Sequence, residues 1–369
     1  MLPAFREHFG NASSTEHAAG AAARELVEHA RGHVARLIGA EPEEIVFTSG
    51  ASESDNIAIL GVMAKAPDDA EIIVSAIEHP AVIEPARTFR DRLRIAPVDG
   101  NGVVDPDAVE RLISPKTALV SVMAANNETG AIQPFDRIAL VCAEAGVPLH
   151  IDAVQAAARV PVDVRTPGVG LMSISAHKMY GPKGVGALFV RRSRPRVRLA
   201  AITKGGGQER GFRPGTLNVP GIVGLGEAAR LARAELADDR DREAQLREQF
   251  LAVLREHAPC ELVENIRSDE SLHQTASVRM PTVRAAAVLR RLAGSAAISS
   301  GSACATTSVE PSYVLLAQGL TAEQAGETLR VSFGRQTTER DVIEGARLIA
   351  DAARAGYASA RAASPSAAS

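Results

Sequence analysis

The chain has no tryptophan, and aromatic residues make up only 3% of its 369 positions. Little is available to stack single-stranded bases, and the core has to be built from Ala, Val, Leu and Ile. Charge of one sign is also lacking. Lys and Arg total 41 against 44 Asp and Glu, a net charge of -3. No strong field draws the molecule to nucleic acid or anionic lipid, and neither partner is expected. No run of 18 apolar residues occurs, so no membrane span is expected. The opening MLPAFREHFGNASS lacks the apolar run and cleavage site of a secretory signal. The three cysteines, Cys142, Cys260 and Cys304, are too few and too oddly numbered for a disulfide framework, and none is spaced for zinc. No metal site is expected, and a reducing cytoplasm is the natural setting.

What is present is ordinary globular composition, 46% hydrophobic and 23% charged, which excludes a disordered chain. The length suggests two domains. Residues 20–39 carry Leu26, Val27, Val34, Leu37 and Ile38 on one helical face. EEIVFTSG then reads as a strand closed by Gly50, and ASESDNIAILGVMAKA as the helix that follows. Further strands are expected at 71–76, 117–125, 147–152, 171–176 and 184–190, with a helix at 135–146. Strands alternating with helices imply an α/β fold with a mostly parallel sheet covered on both faces. From about residue 218 a long helical pattern, expected to contain a break, runs to near 258. SLHQTASVRM and TLRVSFG then read as strands of a smaller unit.

Five segments carry residue types that do chemistry. In SISAHKMYGPKG, Lys178 ends a strand at the carboxyl edge of a parallel sheet, where ligands of such folds bind. A desolvated Lys there is an amine nucleophile, although a surface lysine is the commoner fate. In HIDAVQ, Asp152 ends another strand, and a buried carboxylate there needs a cation, either a protonated pyridine nitrogen or a structural Arg. In FTSGASESDN, Gly50, Ala51 and Ser52 open a helix whose free N–H groups suit phosphate or simply accept a cap. In SAIEHPAV, His79 ends a strand, as structural histidines also do. In SSGSACATTSVEPSYV, Cys304 lies among small residues, where exposure suits a transfer nucleophile. Cys142 and Cys260 read as packing residues.

Together with NNETG, GGGQERGFRPGT and the segment around Arg330, these motifs occur in an order that resembles the cysteine desulfurases of the NifS/IscS type, within the class V aminotransferase superfamily. The likeness runs from FGNASSTEH to TLRVSFGRQTTERDV. It implies the fold type I of pyridoxal 5'-phosphate enzymes: a large domain over residues 1–236 with a mostly parallel seven-stranded sheet, and a smaller α+β domain over 237–369. It implies that Lys178 holds the cofactor as a Schiff base. Asp152 pairs with the ring nitrogen, and His79 stacks on the ring and moves protons. Gln155 and Asn127 lie close to the ring, Asn127 also near the substrate carboxylate. Ala51, Ser52, Ser175 and His177 hold the phosphate, and Thr216 reaches the phosphate of the neighbouring subunit in a homodimer. Arg330 clamps the carboxylate of L-cysteine. Cys304 receives the sulfur as a persulfide and passes it to an acceptor protein.

The family's opening strand with its Leu-Asp-x-x-Ala-Thr type of motif has no counterpart before Phe9. Either the chain is longer than this sequence or it is a trimmed, impaired paralogue. The first residues are expected to belong with the small domain. Residues 357–369 lack a pattern for docking a scaffold protein, so iron–sulfur assembly, tRNA thiolation and DNA phosphorothioation all stay open as destinations. Other readings on the same scaffold are a selenocysteine lyase, another carbon–sulfur lyase, or an idle partner protein.

Overall fold

The computed structural model describes residues 1–14, 16–300 and 311–363. The Cys304 segment lies outside them. The chain divides into two compact units. The first comprises Met1–Pro97, Val104–Ala125 and Gln133–Leu236, and the second Val98–Val103, Asn126–Ile132 and the chain from Ala237 onward. The opening helix Leu2–Arg6, expected with the small domain, clusters with the first unit.

The first unit is built on seven strands: β1 (Ile45–Thr48), β2 (Glu71–Ser75), β3 (Leu93–Ala96), β4 (Thr117–Ser121), β5 (Leu149–Asp152), β6 (Val169–Ser175) and β7 (Gly186–Val190). Their order is β1-β7-β6-β5-β4-β2-β3. β2 to β6 run parallel where they pair, and β7 runs antiparallel to both its neighbours. The carboxyl ends of β1, β2, β4, β5 and β6 therefore share one edge of the sheet. The strand expected over 117–125 stops at Ser121, and β3 was not anticipated from its Arg-interrupted LRIA sequence.

One face of this sheet changes character along its strands. Leu119, Leu171, Leu188, Ile72 and Val74 pack with Ile57, Ile59 and Val62 of the helix Ala51–Met63 into an apolar layer. Nearer the carboxyl edge the same alternation places Ser121, His150, Asp152, Ser173 and Ser175 in the sheet, all buried. Apolar packing anchors the layer, and the polar end is left to do chemistry.

The second unit holds a three-stranded sheet in the order β10-β9-β8, with β8 at Val263–Glu264, β9 at Thr275–Arg279 and β10 at Thr328–Ser332. Its core joins Phe250, Leu254, Val278, Leu329 and Ile349, so the helices Val219–His257 and Glu339–Ala363 cover the sheet. The helix Val219–His257 is continuous over 39 residues, without the break expected of it. Its only proline, Pro220, lies in the first turn, where a missing N–H costs nothing. Among the described residues no helix is long and apolar enough to cross a membrane.

Candidate active site

Strand ends and helix starts meet at the carboxyl edge of the first unit's sheet. β1 turns at Gly50, whose φ of 148° lies where a side chain is strained, into the helix that begins with Ala51 and Ser52. In β7, a Cβ on Gly186 would stand 2.7 Å from the Gly50 Cα. Glycine at 186 is what lets the turn lie close against the sheet. The first N–H groups of a thirteen-residue helix are thereby presented at the edge. The Ser175 hydroxyl, at the end of β6, lies 2.8 Å from Nδ1 of His177. Burial, then the charges of Lys178 and Lys183, lowers the His177 pKa, so its ring is neutral near pH 7.

Lys178 closes the short 3-10 turn that follows β6. Its charge is felt by both Asp152 and His79. Asp152 ends β5 with one carboxylate oxygen taking the Val154 N–H at 3.0 Å. Burial pushes its pKa up to about 6, against the help of that N–H and of Lys178. A buried carboxylate this poorly compensated is a site that gains from a cation. His79 caps the helix Pro80–Arg87, its Nδ1 accepting the Ala81 N–H at 3.1 Å. Burial and Lys178 lower its pKa, so the neutral ring carries its proton on Nε2.

Gln155 stands half-buried just beyond β5, and Thr216 is exposed in the glycine-rich segment. Neither side chain makes a hydrogen bond among the described residues. The segment leading to Thr216 is tied down by Glu209. This buried carboxylate receives Arg31 at 2.8 and 2.9 Å and the Phe47 N–H of β1 at 2.7 Å. Arg213 adds a bond to Glu53 at 3.1 Å, in the first turn of the helix that starts at Ala51.

The remaining two candidates belong to the second unit. Arg330, in β10, donates to the Asn127 carbonyl at 2.8 Å, so these two are brought together. Beside them lies Glu128, which accepts the Ser312 hydroxyl at 2.5 Å. Burial raises its pKa, while Ser312 and Arg330 oppose the rise. Cys142 is buried with its thiol pushed up to about 12 by desolvation, and burial likewise raises half-buried Cys260. Both are packing residues.

A group of polar residues escaped the sequence reading. Asp55, Glu78 and His150 are each fully buried beside Asp152. The signal was there in the alternation: His150 stands two residues before Asp152 and shares its face of β5.

The pieces fit pyridoxal 5'-phosphate. A helix start and a Ser–His pair offer phosphate donors, a lysine stands by for the aldehyde, and an under-compensated carboxylate awaits a protonated ring nitrogen. Comparison with known proteins agrees. The family model for aminotransferase class-V matches residues 1–344. The chain is 45% identical over 359 residues to the cysteine desulfurase IscS of Anaeromyxobacter sp. (strain Fw109-5), covering 96% of this chain and 88% of that one. It is 43% identical to the cysteine desulfurase IscS of Neisseria gonorrhoeae, covering 95% and 86%. Among solved structures it is similar to a NifS-like protein, with a TM-score of 0.86, 33% identity and coverage of 95% and 93%. It is also similar to DndA from Streptomyces lividans, with a TM-score of 0.77, 40% identity and coverage of 90% and 93%. The chain belongs to the aminotransferase class-V family, among its pyridoxal-phosphate-dependent cysteine desulfurases.

Proposed function

We propose that this protein takes sulfur from L-cysteine, releases L-alanine, and keeps the sulfur as a persulfide on Cys304 for an acceptor thiol. The observation that carries the reading is the buried, under-compensated Asp152 carboxylate facing Lys178 at the sheet edge. When bound, pyridoxal 5'-phosphate supplies an aldehyde for a lysine to hold and a ring that stores an electron pair.

The residues divide the remaining work. Asp152 would pair with the ring nitrogen and favour its protonated form. The N–H groups at Ala51 and Ser52, with Ser175 and His177, orient the phosphate. Thr216, exposed and without a hydrogen bond among the described residues, would serve the phosphate of a second copy in a homodimer. His79, its Nδ1 engaged by the Ala81 N–H, would stack on the ring with its Nε2 proton available. Lys178 would hold the aldehyde, and its amine is the group that would take the α-proton of the substrate. Arg330 and Asn127 receive the substrate carboxylate through the planar guanidinium. The Cys304 thiolate then attacks the substrate sulfur. An S–S bond forms as the carbon–sulfur bond breaks, the bonding pair stays on carbon, and a proton completes the alanine methyl group.

Supplying the purified protein with pyridoxal 5'-phosphate and L-cysteine tests this. Alanine formed with an equal amount of transferable sulfur is the expected result. Alanine without transferable sulfur, or keto acid instead of alanine, would count against it.

A further inference from the structure

Behind Asp152 lies a set of charges that the reaction does not use. Asp55 points inward from the second turn of the helix Ala51–Met63 and is fully buried. Its Oδ1 is 3.6 Å from Nε2 of His150, and neither carboxyl oxygen makes a hydrogen bond of ordinary geometry. The imidazole is already engaged at both ends. Nδ1 lies 2.8 Å from the Ser121 hydroxyl and Nε2 lies 3.0 Å from the Ser173 hydroxyl. Ser121 pairs in register with His150, and Ser173 with Asp152, so β4, β5 and β6 each lend one residue to the cluster.

Among the described residues, the charges facing Asp55 are Asp152 and Glu78, and the base beside it is His150. Glu78 takes the Ser75 hydroxyl at 2.5 Å and the Met123 N–H at 2.8 Å. Asp152 has the Val154 N–H and Lys178. Among the described residues Asp55 has neither a backbone donor nor a full cation. Carboxylates sharing a dry site do not all ionise, and the proton settles where the anion is least supported. That place is Asp55.

We propose that Asp55 is a positioning residue that keeps a proton beneath Asp152, so that Asp152 alone presents a negative charge to the cofactor's ring nitrogen. The inference rests on the proposed pairing of Asp152 with that nitrogen. Burial, then the Asp152 charge, drives Asp55 well above the usual carboxylate range, with the Ser173 hydroxyl opposing only in part. Burial also pushes His150 down to about 3, so it supplies no compensating charge. As an acid, Asp55 leaves Asp152 unrepelled, and the Ser173 hydroxyl is at hand to accept its O–H.

Two variants of the full chain test this. Asp55→Asn keeps the shape and the neutral donor, whereas Asp55→Leu keeps only bulk. Infrared spectra of the cofactor-free wild type at neutral pH should contain a buried carboxylic-acid carbonyl stretch that Asp55→Asn lacks. After loading with pyridoxal 5'-phosphate, Asp55→Asn should match the wild type in cofactor affinity and in the pH titration of the visible band. Asp55→Leu should shift that titration by about one pH unit and weaken cofactor binding about tenfold. An unchanged infrared spectrum in Asp55→Asn would overturn the inference. So would a titration displaced equally by both variants, or a lowered melting temperature in Asp55→Leu with the band unmoved. A wild type that takes up no cofactor would overturn the cofactor reading, and this inference with it.

Discussion

The roles proposed for Lys178, Asp152 and His79 rest on where three strands stop. Each lies at or just past the carboxyl end of a strand, where the backbone has left the sheet and side chains are free to converge. Convergence sets their chemistry. Burial, helped by the lysine charge, keeps His79 neutral, and the same charge opposes the burial that raises Asp152. Lys178→Ala should therefore lose covalent retention of the cofactor. Borohydride treatment of the loaded protein should leave a reduced adduct on the Lys178 peptide of the wild type, and none on the variant. Glu78 makes a second test possible. Burial lifts it to about 8, so the folded chain holds a proton that the unfolded chain releases near the ordinary value of 4.5. Its contribution to stability is present below that value and is lost as pH rises toward 8. His150 acts in the opposite sense, but only below its ordinary value of 6.5. Between about pH 6.5 and 8 the cofactor-free protein should lose stability as pH rises, and Glu78→Gln should flatten the slope in urea titrations.

At the scale of elements, local patterning explains what was readable and what was not. The run IVFT and the glycine that follows it foretold β1 and the turn, because a strand ending in a helix start needs a residue free of Cβ. Asp152, Ser175 and Lys178 were readable for the same reason, since each closes an apolar run. β3 was hidden because an edge strand with half-exposed residues shows no alternation, and Arg94 interrupts it. The uninterrupted helix Val219–His257 was hidden because its charge-rich middle has weak periodicity. Of the buried cluster only His150 left a local signal, and Asp55 and Glu78 were hidden because burial of a charge depends on partners far apart in sequence. The same holds for Glu209, whose bonds to Arg31 and Phe47 span 178 and 162 positions. These contacts pin the glycine-rich segment to β1. Removing one partner leaves the other charge buried, so Glu209→Ala should cost about 3–5 kcal/mol in chemical denaturation. It should also loosen the segment that carries Thr216.

For the whole molecule, the division into two units has a chemical meaning. On the proposed assignment the first unit carries most of the cofactor residues, and the second carries Arg330, proposed for the substrate carboxylate, and Asn127, proposed for both ring and carboxylate. The short segment Asn126–Ile132 that carries Asn127 belongs to the second unit although the longer segments on either side of it lie in the first, a placement that no local pattern announces. The exposed Thr216 extends the argument to a second copy. Thr216→Ala and Lys178→Ala should each be inactive or nearly so, for different reasons. Mixing them under conditions that exchange subunits should rebuild one complete site per mixed dimer and restore part of the alanine-forming rate. No recovery after confirmed exchange would contradict the shared site.

The central claim is that sulfur from L-cysteine comes to rest on Cys304. Mass spectrometry of the loaded protein after brief exposure to L-cysteine, without reductant, reads it directly. The account predicts a gain of one sulfur atom on the peptide containing Cys304, and none in Cys304→Ala loaded with the same cofactor. A gain on Cys142 or Cys260, or alanine formed with Cys304 left unmodified, would contradict it.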